Sequence, residues 1–89
     1  MGLMKYVLFS GEKLLESSKY EISEVPINYY SLHMNLRILN VQKHDFGGYV
    51  CASVNALGKV EGGVRLQGEW THYSRYHEVL LGINLLIFY

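Results

Sequence analysis

Asp45-Phe46-Gly47-Gly48-Tyr49-Val50-Cys51 is the stretch that decides how this chain is read. It spells Asp-x-Gly-x-Tyr-x-Cys, and working outward from it gives strands on both sides. Upstream, Met34, Leu36 and Ile38 alternate with His33, Asn35 and Arg37. Period two is the mark of a half-buried strand, and this is the clearest one in the chain. Val41 follows, and the polar, Gly-rich run Gln42 to Gly48 reads as a corner. Tyr49 to Val54 is a second strand. Asn55-Ala56-Leu57-Gly58 is a tight hairpin signal with Gly58 suited to a positive-φ position, and Lys59 to Leu66 returns. Further upstream, Lys19 to Val25 alternates, with Tyr20, Ile22 and Val25 on one side and Glu21 and Ser23 on the other. Pro26 is expected to end that strand, because it cannot donate to a ladder. Gly11 to Ser18 opens on a turn and carries Leu14-Leu15, a short strand at best. Trp70 to Glu78 has no clean period. Three or four strands with short connections make an antiparallel meander.

Composition narrows the function classes. The 89 residues suffice for one domain. With 49% apolar and 18% charged residues, the chain is no disordered charged tail. Eight Lys+Arg balance eight Asp+Glu, so the basic excess of a nucleic-acid binder is missing and no nucleic-acid partner is expected. Lys13, Lys19, Arg37, Lys43, Lys59 and Arg65 are interleaved with acids and read as a solvated face. Aromatics make up 13%, eight of them Tyr, which leans toward β structure. There is one cysteine, Cys51, and one tryptophan, Trp70. The apolar run Tyr6 to Phe9 is too short for a signal-peptide core of about 7–15 residues. Val79 to Tyr89 carries no charge but falls short of the roughly 20 residues of a membrane span. As a lipid-anchor signal it would lack the polar spacer of about 8–12 residues. His72 and His77 lie five apart beside Glu78, with no second pair nearby to complete a structural zinc site; His33 and His44 read as surface residues. No metal, cofactor or catalytic set is expected.

The string Leu36-x-Ile38-x-x-Val41-x-x-x-Asp45-x-Gly47-x-Tyr49-x-Cys51 resembles strands E and F of an immunoglobulin domain. Ala52-x-x-Asn55-x-x-Gly58 is similar to the F–G hairpin of its intermediate set. Gly11-Glu12-x-Leu14-Leu15 with Lys19-Tyr20-x-Ile22, and Gly58 to Leu66, resemble the third domain of lachesin, IgLON-type and Dpr-interacting neuronal adhesion proteins. The resemblance runs from about Gly11 to Gln67. It implies an all-β, incomplete immunoglobulin-like sandwich of strands C′ to G, lacking strands A and B. The corresponding division of the chain is 1–67 as a partial domain and 68–89 as a non-homologous tail. It implies that Leu36 and Ile38 point between two sheets. It also implies that Asp45 caps backbone donors in the E–F corner, that Gly47 permits the corner, and that the Tyr49 hydroxyl bonds back to nearby backbone. Cys51 would point inward, toward a disulfide partner on strand B that this chain does not contain.

Functionally, the resemblance implies a fragment of a non-enzymatic cell-surface adhesion or recognition protein, on the extracellular side of the plasma membrane. Its partners would be other immunoglobulin-superfamily surface proteins, homophilic or heterophilic, met through the parent protein, whose anchor would supply any membrane association. In those families the third domain mainly spaces and orients; contacts, where made, are expected at Tyr29, Tyr30 and the strand-G edge. The alternatives are an immunoglobulin domain of another receptor or of an intracellular muscle-type array, and more remotely a small metal-binding protein.

The departures have a physical cost. The core tryptophan of strand C is absent, and by offset Tyr6 is its nearest stand-in. Without strands A and B, Met34, Leu36, Ile38 and Tyr49 are expected to lose cover, and independent folding is in doubt because a lost disulfide alone costs about 2–5 kcal/mol. The apolar tail from Leu80 to Phe88 would either dock on the vacated sheet or leave the chain prone to aggregate.

Overall fold

A computed structural model describes residues 4–29, 31–68 and 78–86. The described residues form seven strands: β1 (Met4–Phe9), β2 (Glu12–Lys13), β3 (Tyr20–Asn28), β4 (Ser31–Leu39), β5 (Gly47–Asn55), β6 (Gly58–Leu66) and β7 (Glu78–Leu86). A 3-10 turn, Lys43–Asp45, joins β4 to β5. The strands make two antiparallel sheets, one in the order β2-β1-β5-β6 and the other β3-β4-β7. The fold is all-β, consistent with a two-layer sandwich.

Alternation decides which side of each strand is inside. On β4, Leu32, Met34, Leu36 and Ile38 are all 3% exposed or less, while the residues between them stay half-buried. Across the layer they meet Val7 of β1, Tyr49 and Cys51 of β5 and Leu66 of β6 in one core cluster. Met34, Leu36, Ile38 and Tyr49 therefore keep their cover, contrary to the expectation from the missing strands.

The cover comes from the tail. β7 pairs antiparallel with β4 along its whole length, from Ser31 opposite Leu86 to Leu39 opposite Glu78. Leu81 and Ile83 are half-buried against the core, and Leu85 is 4% exposed. A glycine in the facing sheet makes room for them. A Cβ on Gly62 would stand 2.5 Å from Ile83 Cδ1 and 3.3 Å from Leu85 Cδ2. Of the two fates expected for the tail, docking is the one observed over Val79 to Leu86; residues 87 and 88 lie outside the described residues. On the outer face, Arg37 of β4 donates to Glu78 from Nε at 2.9 Å and also from a terminal nitrogen, and it has Glu21 of β3 at 3.5 Å. This row ties all three strands together but is exposed, so it adds little stability.

Several local expectations are corrected. Met4–Phe9 is a strand, so the sheets include an element before Gly11, where the resemblance begins; it pairs with β5 from Met4 opposite Val54 to Phe9 opposite Tyr49. Val7, not Tyr6, is the residue buried opposite Cys51. Tyr6 faces outward beneath the Lys13 ammonium, which lies 5.6 Å from its ring centroid. The short strand falls on Glu12–Lys13 rather than Leu14-Leu15. Pro26 does not end β3, which continues to Asn28 through a register shift. An edge strand tolerates proline where the missing N–H would face outward. Gly58 pairs with Asn55 across a two-residue turn, but among the described residues the positive-φ glycines are Gly11, Gly47 and Gly68. Asn55 Oδ1 closes that turn instead, accepting from Leu57 N at 2.9 Å and Gly58 N at 3.2 Å.

If β7 belongs to the cooperative fold, Leu85→Ala should cost about 2–5 kcal/mol. Leu80, 67% exposed on the same strand, should tolerate alanine within about 0.5 kcal/mol. Denaturant unfolding of the two variants checks both, and equal small effects would mean that β7 is detached in solution.

Candidate functional site

The residues singled out from the sequence converge on the corner between β4 and β5. Asp45 closes the 3-10 turn, donating its N–H to the Gln42 carbonyl at 3.0 Å. Its side chain is fully buried, and Oδ2 accepts from the Gln42 N–H at 2.7 Å. Backbone and side chain thus close the same short loop from both sides, as a capping acceptor in a corner does. Gly47 follows at φ 145°, and a Cβ there would meet the Phe9 ring at 3.1 Å. Positive φ and the approaching ring both favour glycine.

Tyr49 is fully buried, and its hydroxyl donates to the Asp45 carbonyl four residues back. Its ring stacks on Phe9, with centroids 4.4 Å apart and planes 16° from parallel. Burial, then the Asp45 carboxylate, then Tyr20 push the Tyr49 phenol well above the ordinary tyrosine value. Tyr20 is raised by the first two causes in the same order. Two residues on, Cys51 is a buried free thiol between Val7 and Gly62 in the sheet. Burial raises its pKa, which disfavours the thiolate. With apolar Val7 and glycine beside it, the thiol has the character of a core side chain rather than a nucleophile.

Lys19 is the member of this corner to which the sequence gave no role there, although it opens the motif Lys19-Tyr20-x-Ile22. Read as one of a set of solvated cations, it instead donates to Asp45 Oδ2 at 2.7 Å and to the Asn40 carbonyl at 2.9 Å. Its own carbonyl accepts from Leu39 N at 2.8 Å. Lys19 therefore pins the start of β3 to the end of β4 and neutralises the buried carboxylate. Its place at the head of Lys19-Tyr20-x-Ile22, immediately before the strand Tyr20–Asn28, is the sequence cue, and alternation with acids concealed its partner.

The remaining residues are dispersed. Leu36 and Ile38 lie in the core at 1% and 0% exposure. Asn55 and Gly58 form the β5–β6 turn at the far end of β5. Tyr29 is 86% exposed at the tip of the β3–β4 hairpin, and Tyr30 lies outside the described residues. His72, His77 and Trp70 also lie outside them. His33 is half-buried on the outer face of β4, its ring between Asn84 Oδ1 at 2.5 Å and Asn35 Oδ1 at 3.0 Å. Among the described residues no group of three His, Cys, Asp or Glu could hold a metal ion. No helix among them is long and apolar enough to cross a membrane. The arrangement is a built corner that orders two strands.

Comparison with family models, with curated proteins and with solved structures finds no match for this chain.

Tyr49→Phe would leave the buried Asp45 carbonyl without its donor and should cost about 1–3 kcal/mol near neutral pH. A phenol raised above its ordinary 10.0 stays protonated in the fold after it would ionise in the unfolded chain. The stability it contributes is present below the ordinary value and is lost as pH rises beyond it. Denaturant melts from about pH 8 to about pH 12 should show that alkaline fall in the parent chain and a shallower one in Tyr49→Phe.

Lys19→Met strands the buried Asp45 carboxylate without its cation and should cost about 3 kcal/mol or more. Combining it with Asp45→Asn should recover part of that loss, because the charge is removed while the carboxamide oxygen still accepts from Gln42. Additive losses in unfolding experiments would show that the two side chains do not act as a pair.

Proposed function

We propose that this chain is part of a cell-surface immunoglobulin-superfamily adhesion or recognition protein, of the neuronal lachesin, IgLON and Dpr-interacting kind. In this reading the segment has a spacing and orienting role, with no enzymatic activity. The supporting observation is the Tyr49 hydroxyl bonded to the Asp45 carbonyl, at the entry to the strand that buries Cys51 between two antiparallel sheets. A tyrosine corner two residues before a core cysteine is a hallmark of that domain type. The partners are then other surface proteins of the same superfamily, engaged through the parent protein, and the location is the extracellular side of the plasma membrane.

A second reading places the same domain type in an intracellular array, where no disulfide is needed. It is favoured by one observation, the buried Cys51 thiol, the single cysteine of this chain, packed beside Val7 and Gly62. Labelling intact cells with a biotin reagent that cannot cross the membrane separates the two. Surface labelling of the endogenous protein is expected, together with an upstream reading frame that encodes a cysteine and a tryptophan. Labelling only after lysis would overturn the surface reading in favour of the array.

A further inference from the structure

Two sheets present four edges, and three of them carry features that discourage pairing with another strand. β2 is two residues long, both charged. β3 contains Pro26, the register shift after it, and Glu21 and Glu24. β6 exposes Lys59, Glu61 and Arg65 along its length. β7 carries a single charge, Glu78 at its first residue, and none of the other features. It is nine residues long, its ladder with β4 runs without a register shift, and Val79 to Leu86 carries no charge or proline. Among the described residues its only hydrogen-bonded neighbour is β4. The second row of backbone N–H and C=O groups on such a strand is a template for one more.

We propose that β7 is a self-association edge, on which the β7 strands of two copies of this chain pair antiparallel about a two-fold axis at Gly82. The pattern of β7 fits itself. Val79, Leu81, Ile83 and Leu85 face the core, and pairing must set inward residues opposite inward ones or the apolar row turns to solvent. Centring on Gly82 does this while using all nine residues. Val79 lies opposite the partner's Leu85, Leu81 opposite the partner's Ile83, and Leu80 opposite the partner's Asn84 on the outer face. The two Glu78 residues fall at opposite ends, roughly 27 Å apart, so no like charges meet. A two-fold contact of this kind is closed. The joined sheet, three strands from each copy, ends at both sides on β3, whose proline and glutamates stop further addition. The assembly is therefore a dimer rather than a fibre. This inference does not rest on the adhesion reading.

The test uses the whole chain in sedimentation equilibrium and size-exclusion chromatography. The parent chain should show a concentration-dependent doubling of mass that stops at two. The double variant Leu80→Lys/Asn84→Lys sets like charges opposite each other twice and should be monomeric, as should Leu80→Glu/Asn84→Glu. Mixed in equal amounts, the two should restore the doubled mass, which also shows that both variants fold. A register-specific measurement accompanies this: Leu80→Cys and Asn84→Cys chains, mixed and oxidised, should cross-link to each other several-fold more than either does to itself. A parent chain that stays monomeric, a ladder of higher masses, or cross-linking that ignores the register would each overturn the proposal.

Discussion

β4 is the constraint on which the rest of the structure depends. Its inner face holds Leu32, Met34, Leu36 and Ile38, all essentially removed from water. A strand buried on that face needs a sheet across from it, and a central strand needs hydrogen-bonded neighbours on both edges. β3 satisfies one edge and β7 the other. β1, β5 and β6 supply the opposite layer, and Gly62 leaves the space through which Ile83 and Leu85 reach it. The hydrophobic effect does not specify which part of the chain provides the second neighbour. A mostly apolar segment of matching length serves, and Glu78–Leu86 is one.

The corner at Asp45 holds this arrangement in register. Where β4 ends and β5 begins, the chain must cross from one sheet to the other, and Asp45 is buried there while Lys43 and His44 stay exposed. The Asp45 side chain, the Tyr49 hydroxyl and the Lys19 ammonium hold the crossing with a few directed bonds. All those to the carboxylate are made through Oδ2, while Oδ1 has no hydrogen-bond partner among the described residues. Two of the bonds are local to residues 42–49, and the third brings in Lys19 from 26 residues away. Such a network is worth keeping only when its members are matched, since an unpaired carboxylate or carbonyl in a buried corner is costly. The same burial raises the Tyr49 and Cys51 pKa values. Their perturbation therefore reflects structure more than chemistry, and it is no sign of an active site.

Much of this was legible in the residues alone. The alternation at Met34 to Ile38 and the spacing of Asp45, Gly47 and Tyr49 pointed to a strand, a corner and a second strand. The Asn55 to Gly58 turn was legible as a hairpin, although the side chain of Asn55, rather than a left-handed Gly58, closes it. Pro26 was misleading because its effect depends on which edge of a sheet it occupies, and sequence does not show edges. Lys19 was missed because a cation among acids looks the same whether it faces water or a carboxylate buried 26 residues away. Offset from Gly11 places Tyr6 in the core, and Val7 is buried there instead, because a four-residue apolar run has no phase of its own. Pairing with Cys51 sets that phase.

What the sequence determined by itself is local: period-two strands, a glycine-bearing corner and a tyrosine spaced two residues from a cysteine. These follow from steric limits on the backbone and from the alternation of side chains along a strand. Only the tertiary structure decided that the mostly apolar C-terminal segment would become the third strand of a sheet, and that Val7 and Gly62 would flank the cysteine. Those outcomes depend on contacts between segments distant in the chain. There, shape, free edges and the burial of β4 select one pairing from several that local pattern allows equally.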